Sequence, residues 1–401
     1  MDKADIIIRN ISQLLTMDED FTIIENSYIA GAEGKILSYG PMENITNIHL
    51  NENATIINAS KSSVIPAFVD PHTHLLFDGN RANELVMKIK GYSYTKIAEM
   101  GGGILKTVKA TRHATEYRLN AILSKRLKEF AYNGVGTVEI KSGYGLNKED
   151  EFKMLNAINN PTYSLVKIVP TFLGAHAIPP EKSYSEYVSM VKSLIPEIAK
   201  NKMAKFIDVF CEKGYFNEED SKSILEEGRK YGLIPKIHAD EFSDSHGGII
   251  AADVNAISAD HLLKTPKEAL SEMSKKHVVP VILPGTIFSS FIESTPDIQS
   301  MRELNMPIAI GSDFNPNCMI SNHEFLLWLA VYKMKMTMEE ALKGVTINAA
   351  MAIGMDQEVG SLKEGKSMDL IILNTKTYTD IFYEIGKPHI KKVILKGKEI
   401  K

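Results

Sequence analysis

Cysteine is nearly missing from this 401-residue chain: Cys211 and Cys318 are the two present. Two are too few for a disulfide framework or a thiolate cage around a metal. Long apolar runs are missing as well. No stretch approaches the roughly twenty apolar residues of a membrane span. The opening, MDKADIIIRNISQLL, has neither the apolar run nor the cleavage pattern of a secretion signal. Positive charge is not in excess, with 46 Lys plus Arg against 50 Asp plus Glu and a formal charge of −4. No basic cluster supplies a nucleic-acid footprint. The dinucleotide spacing G-x-G-x-x-G is also absent. The cluster GGGILKT near residue 101 follows no strand directly and reads as a flexible loop opening a helix. These absences predict a soluble, cytoplasmic protein whose partner is a small molecule rather than nucleic acid or membrane.

Ordinary globular composition remains, 44% hydrophobic and 24% charged. About the first sixty residues alternate short β-type runs with turns, and the last forty do the same. Neither end has enough strands to close a core alone. Pairing of both ends into one small β-sandwich, from residues 1–62 and 358–401, is the arrangement expected. Residues 63–357 read differently, with apolar strand runs alternating with Lys/Glu-rich helical segments. The runs VIPAFVDPHTH, GTVEIKSGYG, VKIVPTFLGAH, KFIDVFCEKGYF, IPKIHADE, AISADHL, VVPVILPG and PIAIGSDFNP supply eight strands. Strands apolar almost throughout are buried on both faces, so a parallel sheet covered by helices is predicted. Eight such units over this length predict an α/β fold, a (β/α)8 barrel.

Residues capable of chemistry gather at the ends of these runs. His72 and His74 end the first, one residue apart and therefore on one face of a strand. Lys141 and Tyr144 end or follow the second, and His176 ends the third. His238 and Glu241 close the fifth, His261 the sixth and Asp313 the eighth. Barrels of this kind build their sites at that end of the strands. His72, His74, His238 and Asp313 form a nitrogen and oxygen donor set suited to Zn²⁺, iron or manganese, with room for a water. Lys213, after the fourth strand, lies too far out to bridge a second ion, so one ion is expected. Glu241 is placed to move a proton of that water, and His261 to hold the nucleophile or the developing oxyanion. Lys141 reads as a salt-bridged loop lysine. The histidines at 49, 113, 246, 277, 323 and 389 fall in polar segments and receive no role.

Taken together, DPHTH, GGGILKTV, EIKSGYGL, TFLGAHA, DVFCEKGYF, HADE, SADHL, LPG and SDFNP resemble the imidazolonepropionases, a family of the amidohydrolase superfamily. The similarity runs from about residue 60 to the end, in order and with fitting spacing. It implies metal-dependent hydrolysis of the ring amide of 4-imidazolone-5-propanoate to N-formimidoyl-L-glutamate, in histidine degradation. It also implies a homodimer with one ion per subunit, Zn²⁺ or Fe³⁺. Its metal ligands fall on His72, His74, His238 and Asp313, and its catalytic set on Glu241, His261 and again Asp313. Substrate contacts fall on Arg81, Tyr144, His176, Glu241 and Asn315. Arg81 has an independent rationale, since a guanidinium grips a propanoate with two parallel hydrogen bonds. After SDFNP the family pattern of glycine and a small hydroxyl residue is replaced by Asn317 and Cys318, which puts substrate contacts there in question. A deaminase of a cyclic amidine is the nearest rival, and it has no use for Arg81. A scaffold barrel without activity would have lost ligands that are all present here.

Overall fold

The computed structural model describes residues 3–92, 94–163 and 165–401. Five strands come first: β1 (Ala4–Leu15), β2 (Ile23–Ala32), β3 (Lys35–Pro41), β4 (Leu50–Asn58) and β5 (Ser63–Pro66). The next eight are β6 (Phe68–Asp70), β7 (Val135–Lys141), β8 (Lys167–Ala175), β9 (Phe206–Cys211), β10 (Ile234–Ala239), β11 (Ser258–His261), β12 (Val279–Ile282) and β13 (Ala309–Ile310). The chain ends with β14 (Leu370–Leu373), β15 (Ile390–Leu395) and β16 (Lys398–Glu399).

β6 to β13 pair in sequence order, every pair parallel, and helices cover the outside. Each of the eight runs named from the sequence holds one of these strands. The helix Glu116–Tyr132 shows how the cover forms. Thr115 caps its first turn by accepting from Arg118 N. Leu119, Leu123, Leu127 and Phe130 recur at helical spacing and are buried in the same core as Val138 and Ile140 of β7.

The terminal strands build one mixed sheet, in the order β16-β15-β14-β5-β1-β2-β3, with β4 also on β1. The sheet forks where β1 slips register between Ile8 and Ile11, around Asn10 at φ +59°. Below the fork β1 pairs with β4, and above it with β5. Ile8, Ile11, Leu14, Val64, Leu370 and Ile372 share a core of their own there. Ala67 alone separates β5 from β6, and its N–H donates to Asp369 O at 3.0 Å, so the terminal sheet anchors the first barrel strand.

The barrel closes where its first and last strands end. β13 has two residues and β6 three, too short to pair with each other. The segments just beyond them pair instead. Asp313 N donates to His72 O and His74 N to Phe314 O, both at 3.0 Å. Asp70 reinforces this seam: Oδ1 accepts from Ser312 N at 3.1 Å and His72 N at 3.3 Å, and Oδ2 lies 3.3 Å from His323 Nε2. His323 is therefore fully buried, contrary to the polar-segment reading, and so is His389 beside Glu324. Asp70→Ala strips two buried N–H groups of their acceptor and removes the carboxylate beside the His323 imidazole, and should lower unfolding free energy by about 3 kcal/mol. Urea unfolding checks this, and a loss below about 1 kcal/mol would remove Asp70 from the seam.

Candidate active site

The strand ends open into a cavity of about 340 Å³. Its deepest side chains come from opposite sides of the seam. His72 and His74 follow β6, His238 sits in β10, and Asp313 follows β13. His74 Nε2 lies 3.4 Å from His238 Nε2 and 3.5 Å from Asp313 Oδ1, which is also 3.5 Å from His72 Nε2. All four are buried.

The hydrogen bonds on the far side of each ring say what these atoms are. His72 Nδ1 lies 2.6 Å from Asp260 Oδ2, and His238 Nδ1 3.1 Å from Asp208 Oδ1. A carboxylate only accepts, so each Nδ1 carries a proton and each Nε2 presents a lone pair in the neutral ring. For His72 this requires displacing the proton that, against burial and Lys141, Asp260 and Asp313 hold up to about 9. In their neutral forms His72 and His238 thus aim lone pairs toward the carboxylate oxygen and toward His74, whose Nδ1 has no hydrogen-bond partner, and His72 Nε2 has none either. Buried acceptors pointed at one another are repulsive unless a cation joins them. Nitrogen ligands at roughly 2.0–2.1 Å from a tetrahedral ion stand about 3.4 Å apart, which is the spacing seen. The donor set fits a metal. His72, His261 and Asp313 form a second trio of donors within 4.8 Å of one another, so His261 borders the same point.

Beneath these ligands lies a buried ionic cluster that sequence reasoning missed. Lys141 ends β7 fully buried, not in a loop, with its Nζ 2.7 Å from Asp208, 2.8 Å from Glu139 and 3.6 Å from Asp260. Burial opposes its charge, yet Asp208, Glu139 and Asp260 outweigh this and raise its pKa. Lys236 is equally buried and donates to Ser258 Oγ at 2.6 Å, with its Nζ 3.8 Å from Asp260. One ammonium therefore holds both carboxylates that orient His72 and His238. The signal was present in the strands: E-x-K in β7, Asp208 in β9, K-x-H in β10 and S-x-D in β11 place polar groups at alternate positions, the ones that face a barrel axis.

Around the ligand cluster stand the other named residues. Glu241 is buried on the cavity wall, 3.7 Å from His261 Nδ1. Burial, then the nearby charges of Asp313 and Glu212, push its carboxyl well above the usual range. Burial, outweighing the attraction of Asp313, holds His261 down to about 3, so the ring is neutral. His261 and Asp313 both take positive φ, +77° and +46°, an uncommon geometry that aims side chains from strand ends into the cavity. Thr286 Oγ1 donates to Asp313 Oδ2 at 2.5 Å and leaves Oδ1 to the histidines.

His176 stacks on His74 with centroids 4.8 Å apart, and Tyr144 meets His176 edge-on at 5.3 Å. His176 Nδ1 donates to Gly143 O at 3.0 Å, so Nε2 of the neutral ring is an acceptor. Burial first, then the His238 charge, lower its pKa to about 3. Gly143 permits this approach: at φ +98°, an added Cβ would stand 2.6 Å from Leu173 O and 3.0 Å from His176 Nδ1. Arg81 lines the cavity and is ion-paired with Glu84 at 2.7 Å.

Asn315 and Asn317 also lie on the wall. Asn315 Oδ1 accepts from Asn317 N at 2.7 Å and Cys318 N at 3.1 Å, shaping the turn, while Asn317 Nδ2 donates to Ser290 Oγ. Cys318 is a correction. Its thiol is buried behind the wall, 3.7 Å from Ser312 O, because the turn directs that side chain inward. Lys88, Thr286 and Phe242 line the cavity without having been singled out from the sequence.

Imidazole and carboxylate donors meeting over the mouth of a nearly closed parallel barrel define a metal-dependent hydrolase of the amidohydrolase type. Residues 63–400 match the amidohydrolase family. An imidazolonepropionase of Caldanaerobacter subterraneus subsp. tengcongensis is 41% identical, covering 99% of this chain and 98% of its own. Another, from Symbiobacterium thermophilum, is 40% identical over 100% of this chain and 98% of its own. This chain belongs to the imidazolonepropionases within the amidohydrolase family. Its fold is shared with a zinc-bound adenosine deaminase from Xanthomonas campestris, at a TM-score of 0.73 and 13% identity, covering 99% of this chain and 93% of that one.

Because Asp260 orients a ligand from behind, Asp260→Asn should weaken metal binding roughly 10–100-fold. Competition with a chromogenic chelator measures this, and unchanged retention would deny the carboxylate that part.

Proposed function

We propose that this chain hydrolyses the ring amide C–N bond of 4-imidazolone-5-propanoate to N-formimidoyl-L-glutamate, using one ion, Zn²⁺ or Fe³⁺, per subunit. The supporting observation is a metal-fitting donor set, of which His74, His238 and Asp313 line the cavity with His72 behind them, and an arginine on the same wall, in a chain about 40% identical to imidazolonepropionases. His72, His74, His238 and Asp313 are the proposed ligands. A bound ion supplies Lewis-acid activation of water and of the ring carbonyl.

The chain's own groups do the rest. Glu241, in its ionised form, takes the proton from the attacking water at Oε1 or Oε2, and its raised pKa makes it ready to return that proton to the ring nitrogen as the C–N bond breaks. Neutral His261 offers an N–H to the carbonyl oxygen as charge develops there. His176, with Nε2 free of its proton, accepts from a ring N–H, and the Tyr144 hydroxyl and Asn315 fix the ring's other edge. Asn317 shapes the wall beside it. Arg81 binds the propanoate. A deaminase lacks a carboxylate to place there, so Arg81 favours the hydrolase reading over its nearest rival.

The polypeptide is divided in this proposal at 1–62 with 358–401 and at 63–357, with β5 of the second part lent to the terminal sheet. It acts in the cytoplasm as a homodimer. Leu85, Val86 and Ile89, each at least half exposed on one short helix, support a covered face, and light scattering that returned one chain's mass would refute it.

Glu241→Gln should retain the metal and lose roughly 10²–10⁴ in kcat. In the wild type kcat/KM should fall as pH drops through the raised pKa of Glu241, since only the ionised carboxylate accepts a proton. The variant should lack that acid limb. Absorbance loss of 4-imidazolone-5-propanoate reads both, and a metallated variant with near-normal kcat would refute the assignment.

A further inference from the structure

The helix that follows Arg81, Glu84–Ile89, carries Glu84 and Lys88 at i and i+4, neighbours on one face. Glu84 is buried with both oxygens committed. Oε2 accepts from Arg81 Nε at 2.8 Å and pairs with Nη2 at 2.7 Å, while Oε1 accepts from Gly103 N at 3.0 Å. This explains the glycine cluster better than flexibility does. An added Cβ on Gly102 would stand 2.9 Å from Glu84 Oε1 and 2.8 Å from Ile97 Cγ2. The loop is packed onto the carboxylate and fixes it, and the carboxylate fixes Arg81.

Lys88 lines the same cavity. Its Nζ reaches across the barrel mouth to Ser289 O at 3.3 Å, long for a bond from an ammonium. Burial and the Arg81 charge both act against its protonated form, with Glu84 acting in its favour. Two cations and one anion thus stand together at this part of the wall, a sum of +1. The other carboxylates of the wall, Glu241 and Asp313, lie with the histidines. A site with one uncompensated positive charge and a loosely held ammonium is the complement of one carboxylate.

We propose that Lys88 is a second cation for the substrate's carboxylate, exchanging its contact with Ser289 for the propanoate that Arg81 holds. This rests on the function proposed above. It makes the subsite a selector for ligands carrying a carboxylate at the end of a short chain, and Lys88 a binding residue with no part in the proton transfers.

The test compares two ligands that differ in the carboxylate alone, imidazole-4-propanoate and 4-propylimidazole, by calorimetry on metal-loaded protein. Lys88→Met should weaken the acid roughly tenfold or more and leave the alkyl compound unchanged, since a charge-assisted hydrogen bond is lost. Lys88→Arg should restore the acid. In turnover Lys88→Met should raise KM for 4-imidazolone-5-propanoate and keep kcat. An unchanged Kd for the acid, or equal weakening of both compounds, would overturn the proposal. Wild-type protein that binds the acid through Lys88 yet leaves 4-imidazolone-5-propanoate intact would refute the hydrolase reading and keep the subsite.

Discussion

Acceptors facing acceptors are the constraint on which this molecule is built. Imidazole nitrogens and a carboxylate oxygen lie 3.4–3.5 Å apart in a buried place, with few protons to share among them. A cation turns that crowding into bonding. Everything near them holds the arrangement before an ion arrives. Asp260 and Asp208 fix the proton of His72 and His238 on the far nitrogen, and Thr286 occupies the second oxygen of Asp313.

Those carboxylates need their own compensation, which comes from inside the barrel. Lys141 pairs with Asp208 and Asp260 and also with Glu139, and Lys236 approaches Asp260 from the next-but-two strand. Buried ion pairs contribute little net stability, because desolvation offsets the attraction. Their value here is directional. A ligand backed by a fixed carboxylate, itself backed by a fixed ammonium, has one rotamer and one tautomer. The lumen gives up apolar packing for that rigidity, while Val138, Ile140, Ile207 and Ile237 keep the apolar contacts of the core.

The sequence was most legible where chemistry sits at strand ends. H-x-H after an apolar run, a His at the third, fifth and sixth ends and a final Asp have a reason only in a barrel with one functional mouth. All eight strand runs could be read the same way. Legibility failed where a residue's partner is remote in sequence. Lys141 looked like a loop lysine because Asp208 and Asp260 are 67 and 119 positions away. His323 and His389 looked polar because Asp70 and Glu324, their acid partners, lie on other elements. The GGG loop looked flexible because its tight contact is a carboxylate seventeen residues or more upstream. For Cys318 the resemblance left contact with substrate in question, and the turn made by Asn315 points its thiol inward.

The seam between the first and last barrel strands has a consequence for synthesis. Asp70 and Ser312 are 242 positions apart, and the ligands beside them come from the same two ends. No growing polypeptide that stops short of residue 313 owns a complete set of donors, however much metal surrounds it. On the ribosome the full four-donor site is therefore assembled only when nearly the whole barrel has emerged, and a prematurely released chain carries histidines without their carboxylate. The last strand completes the site that the earlier ones begin.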